Sequence, residues 1–132
     1  MHNNKIRQCL AGFTMLALFQ VAQVQAAACV PAAVETGSKL FARDCSVCHA
    51  VKEGVTGMMG VNLHGVAGRT SGTFPGFSYS QAMKDKAVAW KAETLQAFIT
   101  QPQAYVPGTY MPYMGMASAD ESAAVACFLT QK

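Results

Sequence analysis

Residues Cys45-Ser46-Val47-Cys48-His49 have the spacing C-x-x-C-H, the pattern for covalent attachment of a c-type haem. Two thiols three positions apart can each form a thioether to one vinyl group of a single porphyrin. The adjacent imidazole then reaches the iron as its proximal ligand. Geometry is encoded as well as composition, since both sulfurs must face one edge of a planar ring while His49 drops beneath the metal. A bare C-x-x-C serves equally as a redox dithiol or as half a zinc site. The trailing His49, and the absence of a second C-x-x-C in the chain, turn the reading toward haem.

What precedes the motif reads as a targeting segment. Lys5 and Arg7 form a basic start, and a mostly apolar run from Cys9 to Val24 follows, interrupted by Gln20 and Gln23. Small-residue cleavage patterns end at Ala26 and at Ala28, so residues 1–28 are assigned to a cleaved secretory signal and 29–132 to one folded domain. The run is short against the roughly 20 residues that a membrane span needs. The alternatives are an uncleaved membrane tether and a lipidated Cys29, although Ala26 stands where acylation signals usually carry leucine. A periplasmic location is the expectation.

Export changes the charge reading. The chain has ten Lys+Arg against seven Asp+Glu; without Lys5 and Arg7, eight basic residues face seven acidic ones. The apparent basicity is mostly leader, and no basic stripe of a nucleic-acid binder is present. The cysteines thin out likewise. Without Cys9, and with Cys45 and Cys48 assigned to haem, Cys29 and Cys127 remain as a disulfide pair or as two separate thiols, both open at this stage. A small domain rich in glycine gains little from its core alone, and an enclosed haem would add apolar surface to it.

The elements that must position the motif are helical. Ala33, Gly37, Leu40 and Phe41 lie on one face of a helix from Ala33 to Asp44 that runs into the motif. Gly37 weakens that helix unless another backbone approaches it closely. Ser118-Ala119-Asp120-Glu121 reads as a capping box opening a helix through Leu129, the candidate for that approach. A helix from Ala92 to Gln101 carries Leu95, Phe98 and Ile99 on one face and stops at Pro102. A short helix is expected around Ser80 to Lys86. Between Lys52 and Tyr79 the density of Gly and Pro predicts a long ordered loop, of the kind usually held for a function. The fold class is all-α, three main helices plus long loops wrapped on one haem.

With these segments in place, the chain resembles the class I c-type cytochromes, in the branch of mitochondrial cytochrome c and bacterial cytochrome c2. The resemblance rests on Gly37 and Phe41 before C-x-x-C-H, then Asn62-Leu63-His64-Gly65, Gly68-Arg69 and Pro75-Gly76-Phe77-Ser78-Tyr79. Trp90 and Pro107-Gly108-Thr109-Tyr110-Met111 complete it. It covers about Gly37 to Leu129 and needs no gap between Gly37 and Met111. It implies a cytochrome c domain over 29–132 and one haem c held through Cys45 and Cys48. It also implies Met111 as the thioether ligand opposite His49, raising the potential, and Arg69, Tyr79 and Trp90 bonding or screening a buried propionate. Met114 and Met116 are nearby alternatives that lack the P-G-T register; Met58, Met59 and Met83 read as packing, and His64 as a loop residue bonded to backbone.

The departures are informative. Val61 stands where the family commonly has proline, yet its carbonyl can still accept the proximal imidazole N–H. Phe98 replaces a tyrosine near the methionine sulfur. Positions that carry lysines in the mitochondrial protein here read Asp44, Met58, Gln103, Ala104 and Tyr110, so the basic docking ring is largely gone. The resemblance implies no enzyme but an exported, monomeric one-electron carrier, with both axial sites filled and no small-molecule substrate at the iron. Its partners would be redox proteins (a dehydrogenase, a cytochrome complex or a terminal oxidase), and docking should lean on apolar contact more than on steering. The alternatives are a dedicated cytochrome subunit of a periplasmic dehydrogenase, or a haem enzyme or gas sensor with a labile sixth ligand.

Overall fold

The computed structural model describes residues 29–132; the expected signal over 1–28 lies outside them. Five helices follow in order: α1 (Pro31–Asp44), α2 (Gln81–Lys86), α3 (Ala92–Thr100), α4 (Pro102–Tyr105) and α5 (Ala119–Leu129). The described residues hold no strand, only an isolated antiparallel bridge between Thr70 and Ala89. The all-α expectation therefore holds.

Helix α1 begins two residues before the periodicity predicted, because Pro31 occupies the first turn, where a missing N–H costs nothing. Its buried face is Gly37, Leu40 and Phe41. Gly37 meets α5 at closest approach, and a Cβ there would overlap the Ala124 carbonyl. The helix stability lost at this glycine is offset by letting two backbones touch. Beside that contact the Phe41 and Phe128 rings lie 5.4 Å apart.

The ends of the α1–α5 pair are tied by two further devices. Cys29, just before α1, is disulfide-bonded to Cys127 in α5, 98 positions further along the sequence, with Cα atoms 5.2 Å apart. This decides the pairing that the sequence left open. At the other end, Arg43 donates two hydrogen bonds of 2.7 Å to Asp44 and lies 3.7 Å from the Glu121 carboxylate. The expected capping box is thus half formed: Ser118 Oγ accepts the Glu121 N–H at 3.3 Å, while the Glu121 side chain turns to Arg43.

Helix α3 buries Leu95, Phe98 and Ile99 as predicted and packs on α5, where Thr100 Oγ1 lies 3.0 Å from Ser122 Oγ. It ends at Thr100, and Pro102, which stops it, opens α4 in the position where proline is tolerated. The long loop before α2 is organised by buried Asn62. Its side-chain amide donates to the Lys52 and Val55 carbonyls at 2.8 and 2.9 Å and its oxygen accepts the His64 N–H. Backbone bonds from Gly68 to Trp90, Trp90 to Arg69 and Ser71 to Val88 fasten that loop to the segment leading into α3. Helices and loops together surround one large cavity.

Candidate haem pocket

The cavity has a volume of about 580 Å³ and a mostly apolar lining. All seven residues singled out from the sequence line it: Cys45, Cys48, His49, Arg69, Tyr79, Trp90 and Met111. They come from stretches of chain as far apart as Cys45 and Met111, so the tertiary fold alone brings them together.

The C-x-x-C-H segment leaves α1 without a break. The Cys45 N–H donates to the Phe41 carbonyl, and the Cys48 and His49 N–H groups return to the Cys45 carbonyl. That tight turn sets Cys45, Cys48 and His49 together in the cavity lining. His49 Nδ1 lies 2.7 Å from the Val61 carbonyl oxygen. Since a carbonyl only accepts, Nδ1 carries the proton and Nε2 keeps the lone pair that a metal requires. Burial lowers the imidazole pKa, with the Val61 bond opposing, so the neutral ring is favoured. Burial also pushes the Cys45 thiol up to about 11, helped by neighbouring Asp44. A redox dithiol needs the opposite shift to supply its thiolate, so burial of Cys45 runs against that reading.

Arg69 is half-buried at the cavity and has no carboxylate partner among the described residues. Its guanidinium donates to the carbonyls of Asn62 and His64 at 3.0 and 3.3 Å and lies over the Phe74 ring at 4.6 Å. Burial lowers its pKa, and Tyr79 partly restores it. Burial raises the Tyr79 phenol, with Arg69 and the Phe74 backbone opposing. A desolvated cation and a neutral phenol at the edge of an apolar cavity suit an anionic group entering from the cavity side. Trp90 is buried, with its ring 5.4 Å from that of Phe98.

Met111 comes in on the loop after α4. Its N–H donates to Thr109 Oγ1 at 3.3 Å, and the Gln103 side-chain amide donates to the Met111 and Thr109 carbonyls, both at 3.1 Å. Of the other described methionines, Met59 and Met83 share the cavity lining with Met111, whereas Met58, Met114 and Met116 do not. Met114 is 91% exposed, Met116 is buried in the core, and neither lines the cavity. Met58 is half-buried, and Met59 is exposed with its sulfur 3.9 Å from the Cys48 sulfur. The His64 side chain is exposed and away from the cavity; the hydrogen bonds expected of it belong to its backbone.

Three residues escaped the sequence reading. A Cβ on Gly60 would overlap the His49 ring, so the absence of a side chain there seats the imidazole. Gln103, read only as a lost lysine, braces the Met111 loop. Met83, read as packing, is buried and lines the cavity. Only Gly60 carried a local signal, as the residue before the carbonyl that holds His49.

The paired cysteines, the oriented neutral imidazole, the thioether, the unpaired guanidinium and the apolar walls fit a covalently held haem. Comparison with known proteins agrees. Residues 32–129 match the family model described as cytochrome c oxidase, cbb3-type, subunit III. The chain is 41% identical over 96 residues to cytochrome c of Nigella damascena, covering 73% of this chain and 86% of that protein. It is 40% identical over 101 residues to cytochrome c of Ginkgo biloba (76% and 89% covered). It is 46% identical over 89 residues to cytochrome c type-1 of Ascaris suum (67% and 79%).

Proposed function

The chain belongs to the class I c-type cytochromes, in the cytochrome c branch, and from that membership we propose an exported electron carrier whose haem is gripped by His49 and Met111. As a monohaem c-type cytochrome it carries electrons and is not an enzyme; its partners are redox proteins. When bound, the haem supplies a one-electron ferrous–ferric couple.

The observation that carries the ligand assignment is the convergence of Cys45, Cys48 and His49 with Met111 on a single apolar cavity. In this reading Cys45 and Cys48 form the thioethers. The Val61 carbonyl orients His49, and Arg69, Tyr79 and Trp90 bond or screen a propionate. Walls of this kind keep water from the metal and limit solvent reorganisation. If His49 and Met111 both hold the iron, it would offer no place for a substrate, and the chain would need no acid, base or nucleophile.

The export reading draws support from the Cys29–Cys127 disulfide, since such bonds persist in oxidising compartments such as the periplasm. A sulfur in that bond is also unable to carry a lipid, which favours a cleaved signal over a lipidated Cys29. The match to a family described as an oxidase subunit favours a second reading, a permanently docked cytochrome subunit. The 86% coverage of a cytochrome c relative favours the free carrier.

The test is Met111→Ala in the holoprotein. Loss of the weak long-wavelength sulfur–iron band and a fall in reduction potential are expected; an unchanged spectrum and potential overturn the assignment. Haem stain surviving denaturing electrophoresis, lost when Cys45 and Cys48 are both serine, tests the attachment. N-terminal sequencing of the periplasmic protein tests export, and its native mass separates carrier from subunit.

A further inference from the structure

Met59 and Met83 line the cavity together with Met111, and they belong to different neighbourhoods. Met59 adjoins Gly60, whose backbone lies against the His49 ring, and the Met59 sulfur is 3.9 Å from that of Cys48. Met83 belongs to α2, which packs on the segment that carries Met111. A Cβ on Gly108, three residues before Met111, would sit 3.5 Å from the Ala82 Cβ. Further along α2, Lys86 Nζ lies 4.3 Å from the centre of the Tyr105 ring in α4. Met83 stands between these two contacts in sequence and is buried.

The backbones of Met83 and Met111 are held differently. The Met83 N–H donates to Ser80 Oγ at 3.2 Å, and a Cβ on Gly72 would overlap the Lys84 backbone beside the Met83 carbonyl. Neither contact makes use of the Met111 loop. Met111 is half-buried on a loop braced by Gln103, and loops open at lower cost than packed helices. A buried methionine is ordinarily a gap-filler. A thioether fixed beside a loop that brings in another has a second use.

From this juxtaposition we infer that Met83 is a reserve ligand for the haem iron, taking the sixth position of the ferrous state when the Met111 loop is displaced. The inference rests on the His49–Met111 reading and extends it. In the exchange one sulfur–iron bond breaks and another forms, with no electron or proton moved. Ferrous iron is the state that accepts it, because a soft thioether favours the lower charge; ferric iron takes water instead. No described lysine lines the cavity, and the His64 side chain lies away from it. The consequence is a reduced carrier whose iron stays closed to small gaseous ligands while its loop is open.

The test compares reduced Met111→Ala holoprotein with Met111→Ala carrying Met83→Leu as well, a change that conserves volume. With isotope-labelled methionine methyl groups, Met111→Ala is expected to show one methyl resonance carried far upfield by the porphyrin ring current and absent from the double variant. Carbon monoxide is expected to bind Met111→Ala at least about tenfold more weakly than the double variant, since Met83 leaves only a fraction of the iron open. No shifted methyl in Met111→Ala, with equal carbon monoxide binding in the two, overturns the inference. A shifted methyl that persists in the double variant belongs to another methionine and overturns it as well. Gln103→Leu, which leaves both methionines in place, gives the same comparison without removing a ligand. Adding Met83→Leu to it is expected to speed carbon monoxide binding severalfold, and equal rates count against the inference. Met83→Leu alone is expected to keep the sulfur–iron band of the oxidised protein. If the band is lost there, Met83 is the resident ligand, and the Met111 reading fails together with the reserve role.

Discussion

His49 Nδ1 sits 2.7 Å from the carbonyl oxygen of Val61, twelve residues along the chain. This bond selects the tautomer and aims Nε2, and it forms because Gly60 lets the loop backbone lie directly against the ring. Valine serves where proline is common in the family, since a carbonyl is all that the bond requires.

Gly60 is the more exacting residue of that pair. Gly60→Ala places a methyl group against the imidazole, so the ring or the loop must shift. A loss of about 2–4 kcal/mol is expected, read as a lower denaturant midpoint of the holoprotein with incomplete haem incorporation. Val61→Ala keeps the carbonyl and is expected to leave the haem spectrum unchanged.

Reducing the Cys29–Cys127 bond reopens a loop of 98 positions. Cys29→Ser is expected to destabilise by about 2–5 kcal/mol in guanidinium unfolding. A reductant should lower the midpoint of the unmodified protein by the same amount and leave the variant where it was.

The Arg43 bridge yields a pH dependence. The two hydrogen bonds from Arg43 hold the Asp44 carboxyl below its ordinary value of 3.8, with burial opposing. A carboxyl lowered in the folded state contributes stability above its unfolded pKa and loses it as pH falls through the folded one. Asp44→Asn should therefore be less stable than the unmodified protein at pH 7, with the gap closing below about pH 4. Thermal melts at pH 7 and pH 2.5 measure it; a gap that persists in acid would sink the pairing.

Gln103 braces the Met111 loop with two hydrogen bonds. At about 0.5–1.5 kcal/mol each, Gln103→Leu is expected to loosen the loop by about 1–3 kcal/mol. Faster hydrogen exchange of the Thr109 to Met111 amides would report it, with a sulfur–iron band lost at lower denaturant. Exchange rates unchanged from the parent would show that the loop is held by other contacts.

Much of this was legible in the chain because it depends on near neighbours. The spacing of Cys45, Cys48 and His49 is a covalent fact, and the face of Gly37, Leu40 and Phe41 follows from helical pitch. The helix limits at Ser80, Ser118 and Pro102 follow from local backbone chemistry. Even the demand that a helix approach Gly37 could be stated before Ala124 was seen against it.

What could not be read depends on distances between residues remote in sequence. Whether Cys29 and Cys127 meet is a matter of 5.2 Å between Cα atoms that composition does not encode. That Glu121 turns from its own helix end to Arg43 and that Gln103 braces a ligand loop both depend on how the helices cross and where the loops land. Periodicity and spacing propagate only a few residues along a backbone; packing sums contacts over the whole chain, and it is there that the pocket and its rim acquire their shape.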